Sequence, residues 1–420
     1  MAAIGQKPLS DGHFRTSPFS LITTDMYRLP TSFLEEKTNM SIRTRRVISA
    51  VAAVALGLGT VAATASSASA ASCKTLKIAF QGPLTGDYGN LGVNISQGAV
   101  LAVDQYNAKN PKTRVQLVKY DSQADPAQAP ALAQKIIRDA CIVAMVGPSF
   151  SGETLESGPI YNRAGLPLIS PSATNPTITQ QGWKVFHRAV ATDAMQGAQT
   201  AKLIKAKFAG KTLIVLDDAS DYGKGLADTV RAEAAKLGIT VDKGESIVPG
   251  AQDYSSTVAK VKASKAGVVY FGGYYSDAGK LAKQIADAGI SAQFISDDGT
   301  YDKGFVTVAG AAAKGAIATA PSAPLALTKA GRTFQAAYKA AFGQADGVYS
   351  AEAFDAANFF LAGIKAGKVD RKSLLAYVKA GSYKGVTKTF KFGSNGELGG
   401  GAIYAYTVQA DGSWKGELIK

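Results

Sequence analysis

Short apolar runs recur along this chain, and amphipathic stretches separate them. The runs are LKIAFQ (76–81), VQLVKY (115–120), IVAMVG (142–147), LPLIS (166–170), TLIVLD (212–217), GVVYFGG (267–273) and AIATA (316–320). Several are almost continuously apolar, as in strands buried on both faces. Between them the period changes. Ile95, Ala99, Ala102 and Tyr106 share one helical face, at intervals of four, three and four. AQAPALAQKIIRDA and SDAGKLAKQIADAGI repeat that spacing, and the second stops at a glycine placed to cap a helix. Strand and helix in alternation predict an α/β fold with mostly parallel sheets. Such sheets place ligands outside the carboxyl ends of their strands.

Those ends share one chemistry. They lead into GPLTGDYGNLG, GPSFSGE, SPSATNP, DDASDYGKG, GGYYSDAG and SDDGTYD. Glycine and proline shape the turns. Serine and threonine supply hydroxyls where helices begin, and free N–H groups at a helix start suit a carboxylate or phosphate.

A catalytic reading of GPSFSGE lacks support. A nucleophile elbow is G-x-S-x-G, and Gly147-Pro148-Ser149-Phe150-Ser151 has serine in place of the second glycine. A hydrolase using Ser149 or Ser151 also needs a base. The chain has two histidines: His13 near the start and His187 in KVFHRAV, a strand-like segment where a packed imidazole is the simpler reading. Neither a zinc-spaced cluster nor a Walker lysine occurs, and no cofactor or metal is expected. The stretch reads as an anion cradle, and the protein as a binder, not an enzyme.

The first 72 residues belong to no predicted domain. Arg43, Arg45 and Arg46 precede an apolar stretch from Val47 to Ala63, and Ala68-Ser69-Ala70 closes it. This is the pattern of a secretory signal, 40–70, cleaved after Ala70. Residues 1–39 read as a non-native or mis-assigned extension ahead of a start at Met40. The protein is expected at the periplasmic or extracellular face of the envelope. Its net charge of +14 comes from lysines scattered along helices, without the aromatic interleaving of a nucleic-acid binder. No nucleic-acid partner is expected.

Cys73 and Cys141 are the only cysteines. Cys73, just past the signal, has two readings. One is a lipid anchor; but the usual leucine-like position before it is missing, and a strand follows at once. The other is a disulfide. Each cysteine opens an apolar strand, and parallel neighbours would bring the two sulfurs together at one sheet edge, in a compartment where oxidation is possible. The disulfide is the reading adopted.

The order of GPLTGDYGNLG, QADPAQAPALAQK, VGPSFSGET, ISPSATNPTIT, DYGKGL and YFGGYYSDAGKLAKQIADAG resembles that of the leucine/isoleucine/valine-binding proteins of ABC importers, over nearly all of residues 75–420. That resemblance implies a type I periplasmic-binding-protein fold of two Rossmann-like lobes joined by a three-stranded hinge. Lobe one would be 73–192 with 320–387, and lobe two 193–319 with 388–420. It implies an aliphatic amino-acid ligand, an ABC permease with its ATPase subunits as partners, and a monomer. By the same resemblance, Ser151 holds the ligand's α-carboxylate, and Ser172, Ala173 and Thr174 complete that site and accept from the ammonium. Asp298 stands where a glutamate usually pairs with the ammonium. Tyr222 and Tyr274 close from lobe two, and Phe150 and Tyr349 wall the side chain. Spacing alone does not choose Asp298 over Asp297, Asp217 or Asp218. Four positions depart from the family pattern. Leu91 replaces a frequent aromatic, Asp298 is one methylene short, and Ala124 and Phe150 occupy the places of a disulfide. These departures leave room for a short amide, urea or small organic acid as ligand, or for a sensory role.

Overall fold

The computed structural model describes residues 73–420. The expected signal and the extension before it lie outside the described residues. All seven apolar runs form strands. β1 (Leu76–Gly82), β2 (Val115–Asp121), β3 (Ile142–Val146), β4 (Leu168–Ser170) and β5 (Phe186–Arg188) make one sheet. Its order is β2-β1-β3-β4-β5, and every pairing is parallel. The second sheet contains β6 (Leu213–Asp217), β7 (Val241–Asp242), β8 (Val268–Gly272), β9 (Gln293–Ser296) and β10 (Ile317–Ala320). A ribbon of β11 (Tyr383–Lys384) and β12 (Thr389–Phe390) stands apart, and β13 (Tyr404–Val408) and β14 (Trp414–Leu418) complete the second sheet. There the order is β14-β13-β10-β9-β8-β6-β7, with only β13 and β14 antiparallel.

β3, β6 and β8 are buried at every residue, which is why they read as unbroken apolar runs. β14 is mostly exposed, so alternation with polar residues hid it. Helices cover both sheets. Ile95, Ala99 and Ala102 are buried on the helix Gly89–Asn107. That helix lies against the helix Ser350–Lys365 at a glycine. A Cβ on Gly98 would come within 1.9 Å of the Ser350 carbonyl oxygen, a spacing only glycine permits.

The chain passes between the sheets three times: after β5, after β10 and before β13. The last passage comes later than the expected boundary at 388. Phe392 packs beside Phe359 and His187, and Phe390 beside Phe392 and Tyr383. Glu397 pairs with Arg188 at 2.9 Å. Residues 389–398 therefore sit on the first lobe, because their two aromatics and one acid find partners there.

Cys73 and Cys141 are joined by a disulfide, with Cα atoms 5.7 Å apart. β1 and β3 pair in parallel near it, Lys77 opposite Ile142. A sulfur bonded in this way has no valence left for a lipid thioether, so the anchor reading falls.

Candidate functional site

Both sheets present strand ends to one cleft. On the first lobe β3 ends in a turn that feeds the helix Ser151–Arg163. The cap residue of that helix is Phe150, and no side chain caps it. Instead Ser151 Oγ accepts from Asn175 N at 3.3 Å, and no acceptor takes its own proton among the described residues. The loop after β4 is tied to the same turn. Ser172 Oγ donates to the Ser149 carbonyl at 2.7 Å, and Ser170 Oγ donates to the Pro148 carbonyl at 2.6 Å. Arg188, fully buried, donates to the carbonyls of Ala173 at 2.6 Å and Asn175 at 3.0 Å. The cradle is thus held by hydrogen bonds beneath it, with hydroxyl groups left on its surface.

The opposite wall is acidic and aromatic. Asp298 Oδ1 accepts from Tyr222 Oη at 2.8 Å and from Gln196 Nε2 at 2.7 Å. Its Oδ2 accepts from Tyr349 Oη, on the other lobe, at 2.6 Å. The rivals face other partners, and one Asp297 oxygen, Oδ1, is buried without a donor. Asp297 takes Gly273 N, Asp217 takes Ala219 N and Ser246 Oγ, and Asp218 takes Ser220. Of these four acids only Asp298 lines the central cavity. Burial pushes its carboxyl up despite the three donors.

Eight of the ten residues singled out from the sequence meet around that cavity: Leu91, Phe150, Ser151, Ser172, Tyr222, Tyr274, Asp298 and Tyr349. Ala173 and Thr174 are buried behind Ser172 and do not line it. Ile95 and Gly299 also line it. Ile95 was read only as a core position, since its helical period is the same for either role. The walls are close. Phe150 and Tyr274 stack with ring centroids 4.4 Å apart, Tyr88 covers the other side of Tyr274 at 4.8 Å, and about 20 Å³ stays open between the walls.

Asp193 is a residue that sequence reasoning missed. It is wholly buried at the start of the helix Asp193–Lys207, and neither carboxylate oxygen finds a donor of good geometry. Its N–H donates to the Thr174 carbonyl at 3.1 Å. Burial, reinforced by the charge of Asp298, pushes it up to about 7. Only the tertiary fold could expose it, because an acid in the first turn of a helix reads as a dipole partner. The raised value gives a sign. Between its ordinary range and about 7 the folded chain binds the proton more tightly than the unfolded chain, so its contribution to stability falls as pH rises through that window. An ammonium nearby favours the ionised form. Affinity for a ligand that carries an ammonium is therefore expected to rise from about pH 5.5 to about pH 8.5, and Asp193→Asn to flatten that slope. Calorimetric titrations at several pH values check it.

The catalytic candidates have other work. Ser149 Oγ donates to the Gln81 carbonyl at 3.1 Å. His187 Nδ1 lies 3.1 Å from the Leu168 carbonyl within the sheet, and burial pushes its imidazole down to about 4.

A family model described as periplasmic binding protein matches residues 75–413. The leucine-, isoleucine-, valine-, threonine- and alanine-binding protein of Pseudomonas aeruginosa is 33% identical over 327 residues, covering 77% of this chain and 87% of that protein. The Leu/Ile/Val-binding protein of Escherichia coli K12 is 29% identical, over 82% of this chain and 93% of its own length. Among solved structures, the branched-chain amino acid transporter substrate-binding protein LivJ of Streptococcus pneumoniae, in complex with isoleucine, superposes with a TM-score of 0.76. It is 27% identical, and the match covers 83% of this chain and all of that one.

Proposed function

The chain belongs to the periplasmic binding protein family, and on that premise we propose that it is an exported solute-binding protein. It takes a branched-chain or other aliphatic amino acid into the interlobe cleft and hands it to an ABC permease with its ATPase subunits. The observation that carries this reading is the polarity of the cleft. One wall offers hydroxyls and the start of a helix, and the facing wall offers a buried carboxylate held by donors from both lobes. That is the complement of a zwitterion.

The roles follow from the geometry. The ligand's carboxylate receives the Ser151 hydroxyl and the N–H groups at the start of its helix. Ser172 holds the loop beside it. The ammonium sits against Asp298, with the charge of Asp193, buried without a partner behind the cavity wall, adding to the attraction. Leu91, Ile95, Phe150 and Tyr349 surround the aliphatic chain. Tyr222 and Tyr274 close over it, and the stacked ring of Tyr274 must lift from Phe150 to admit it. A ligand touching both walls favours the closed arrangement over the open one. Binding proceeds without turnover in this reading, since the histidine a serine hydrolase would use, His187, is held within the sheet against the Leu168 carbonyl.

The test is thermal melting of the purified chain against the twenty amino acids, urea and short amides. Isoleucine, leucine or valine at about 100 times its Kd is expected to stabilise by about 2.7 kcal/mol. A rise with amides or urea alone would overturn the amino-acid assignment and leave the fold untouched.

A further inference from the structure

Beside the cleft lies a second, larger space of about 330 Å³, with walls from both lobes and from the crossing that follows β10. Tyr349 is the partition, lining both spaces. The far wall is aromatic. Tyr301 and Tyr406 stack at 3.9 Å, and Trp414 stands edge-on to Tyr301 at 5.3 Å. The near wall is acidic. Glu352 is 3% exposed and accepts the Ser322 hydroxyl at 2.8 Å through one oxygen only. Its nearest cation, Lys388, stands 3.8 Å from that same oxygen. Asp346 takes one donor, Gln335 Nε2, at 2.9 Å. Asp302 is a third acid on the wall, and Lys303 is the single basic residue lining it. The second carboxylate oxygen of Glu352 has no partner among the described residues.

We propose that this space is a second ligand site, for a small organic cation. The ammonium lies between the Glu352 and Asp346 carboxylates and the aromatic faces. Carboxylates in a low-dielectric wall favour a cation, and tyrosine and tryptophan rings favour one that is weakly hydrated. The volume suits a small molecule. Both lobes contribute walls, so the occupant bridges them, and the site is coupled to closure over the amino acid. Coupling of this kind is reciprocal: each ligand tightens the other by the same factor.

The probes are choline and ethanolamine, with 3,3-dimethylbutan-1-ol as the uncharged isostere of choline. Calorimetric titration of the purified chain is expected to show saturable binding of at least one cation, none of the isostere, and isoleucine affinity raised several-fold in its presence. Glu352→Gln is expected to remove the cation's binding and its effect on isoleucine, while isoleucine binding alone persists. Trp414→Leu removes part of the aromatic wall and is expected to weaken the cation several-fold; it serves as the second variant if the first does not fold. Equal binding of the isostere, no saturation by either cation, or simple competition with isoleucine would overturn the proposal. If a cation binds and no amino acid does, the second site stands and the amino-acid reading falls.

Discussion

Asp298→Asn is expected to abolish amino-acid binding while leaving the unliganded chain as stable as before. Asp298 accepts from Tyr222, Gln196 and Tyr349, which together fix both of its oxygens. An asparagine in that place offers one oxygen and one amide, and the amide meets hydroxyls that were donating. The ligand's ammonium loses its buried counter-charge. Truncating one partner of a buried, hydrogen-bonded charge pair costs about 2–5 kcal/mol, or roughly thirtyfold to several-thousandfold in Kd. Stability moves differently. Burial already pushes the Asp298 carboxyl up, and the neighbouring Asp297 is pushed up with it. Removing one of two adjacent buried acids relieves that penalty. Titration calorimetry with isoleucine, read beside the melting temperature of the unliganded variant, separates the two effects. Retained isoleucine affinity would sink the assigned role of Asp298.

Reducing the Cys73–Cys141 bond is expected to produce the largest loss of stability. The bond closes a loop with a sequence separation of 68 residues. Chain entropy assigns such a loop about 4 kcal/mol. The double variant Cys73→Ser, Cys141→Ser is expected to lose a similar amount, read as a shifted midpoint in urea with and without reductant. Isoleucine affinity is expected to hold. The disulfide lies where β1 and β3 begin, and the cradle lies where they end, with the parallel pairing between them intact. A change in Kd as large as the change in stability would show that the two ends of the sheet are coupled.

Much of this was legible before folding. The buried strands announced themselves because burial on both faces leaves no room for polar alternation, as in β3, β6 and β8. The strand-end loops were legible because glycine, proline and serine have backbone reasons to be there. β14 was not legible, since an exposed edge strand carries polar residues. Nor was the placement of 389–398, which depends on where Phe359 and Arg188 happen to stand.

Local sequence by itself determined the α/β alternation, the uniform chemistry of the strand ends and the pairing of two cysteines. Each rests on a property of neighbouring residues: burial period, turn preference, strand-start position. The tertiary structure decided what depends on meeting across the chain. It chose Asp298 over three nearby acids, because of the four only that carboxylate lines the cavity. It buried Asp193 beside Thr174 without a donor. It also set Tyr349 as the wall between two spaces. Such facts are distances between residues far apart in sequence, and a one-dimensional pattern carries no record of them.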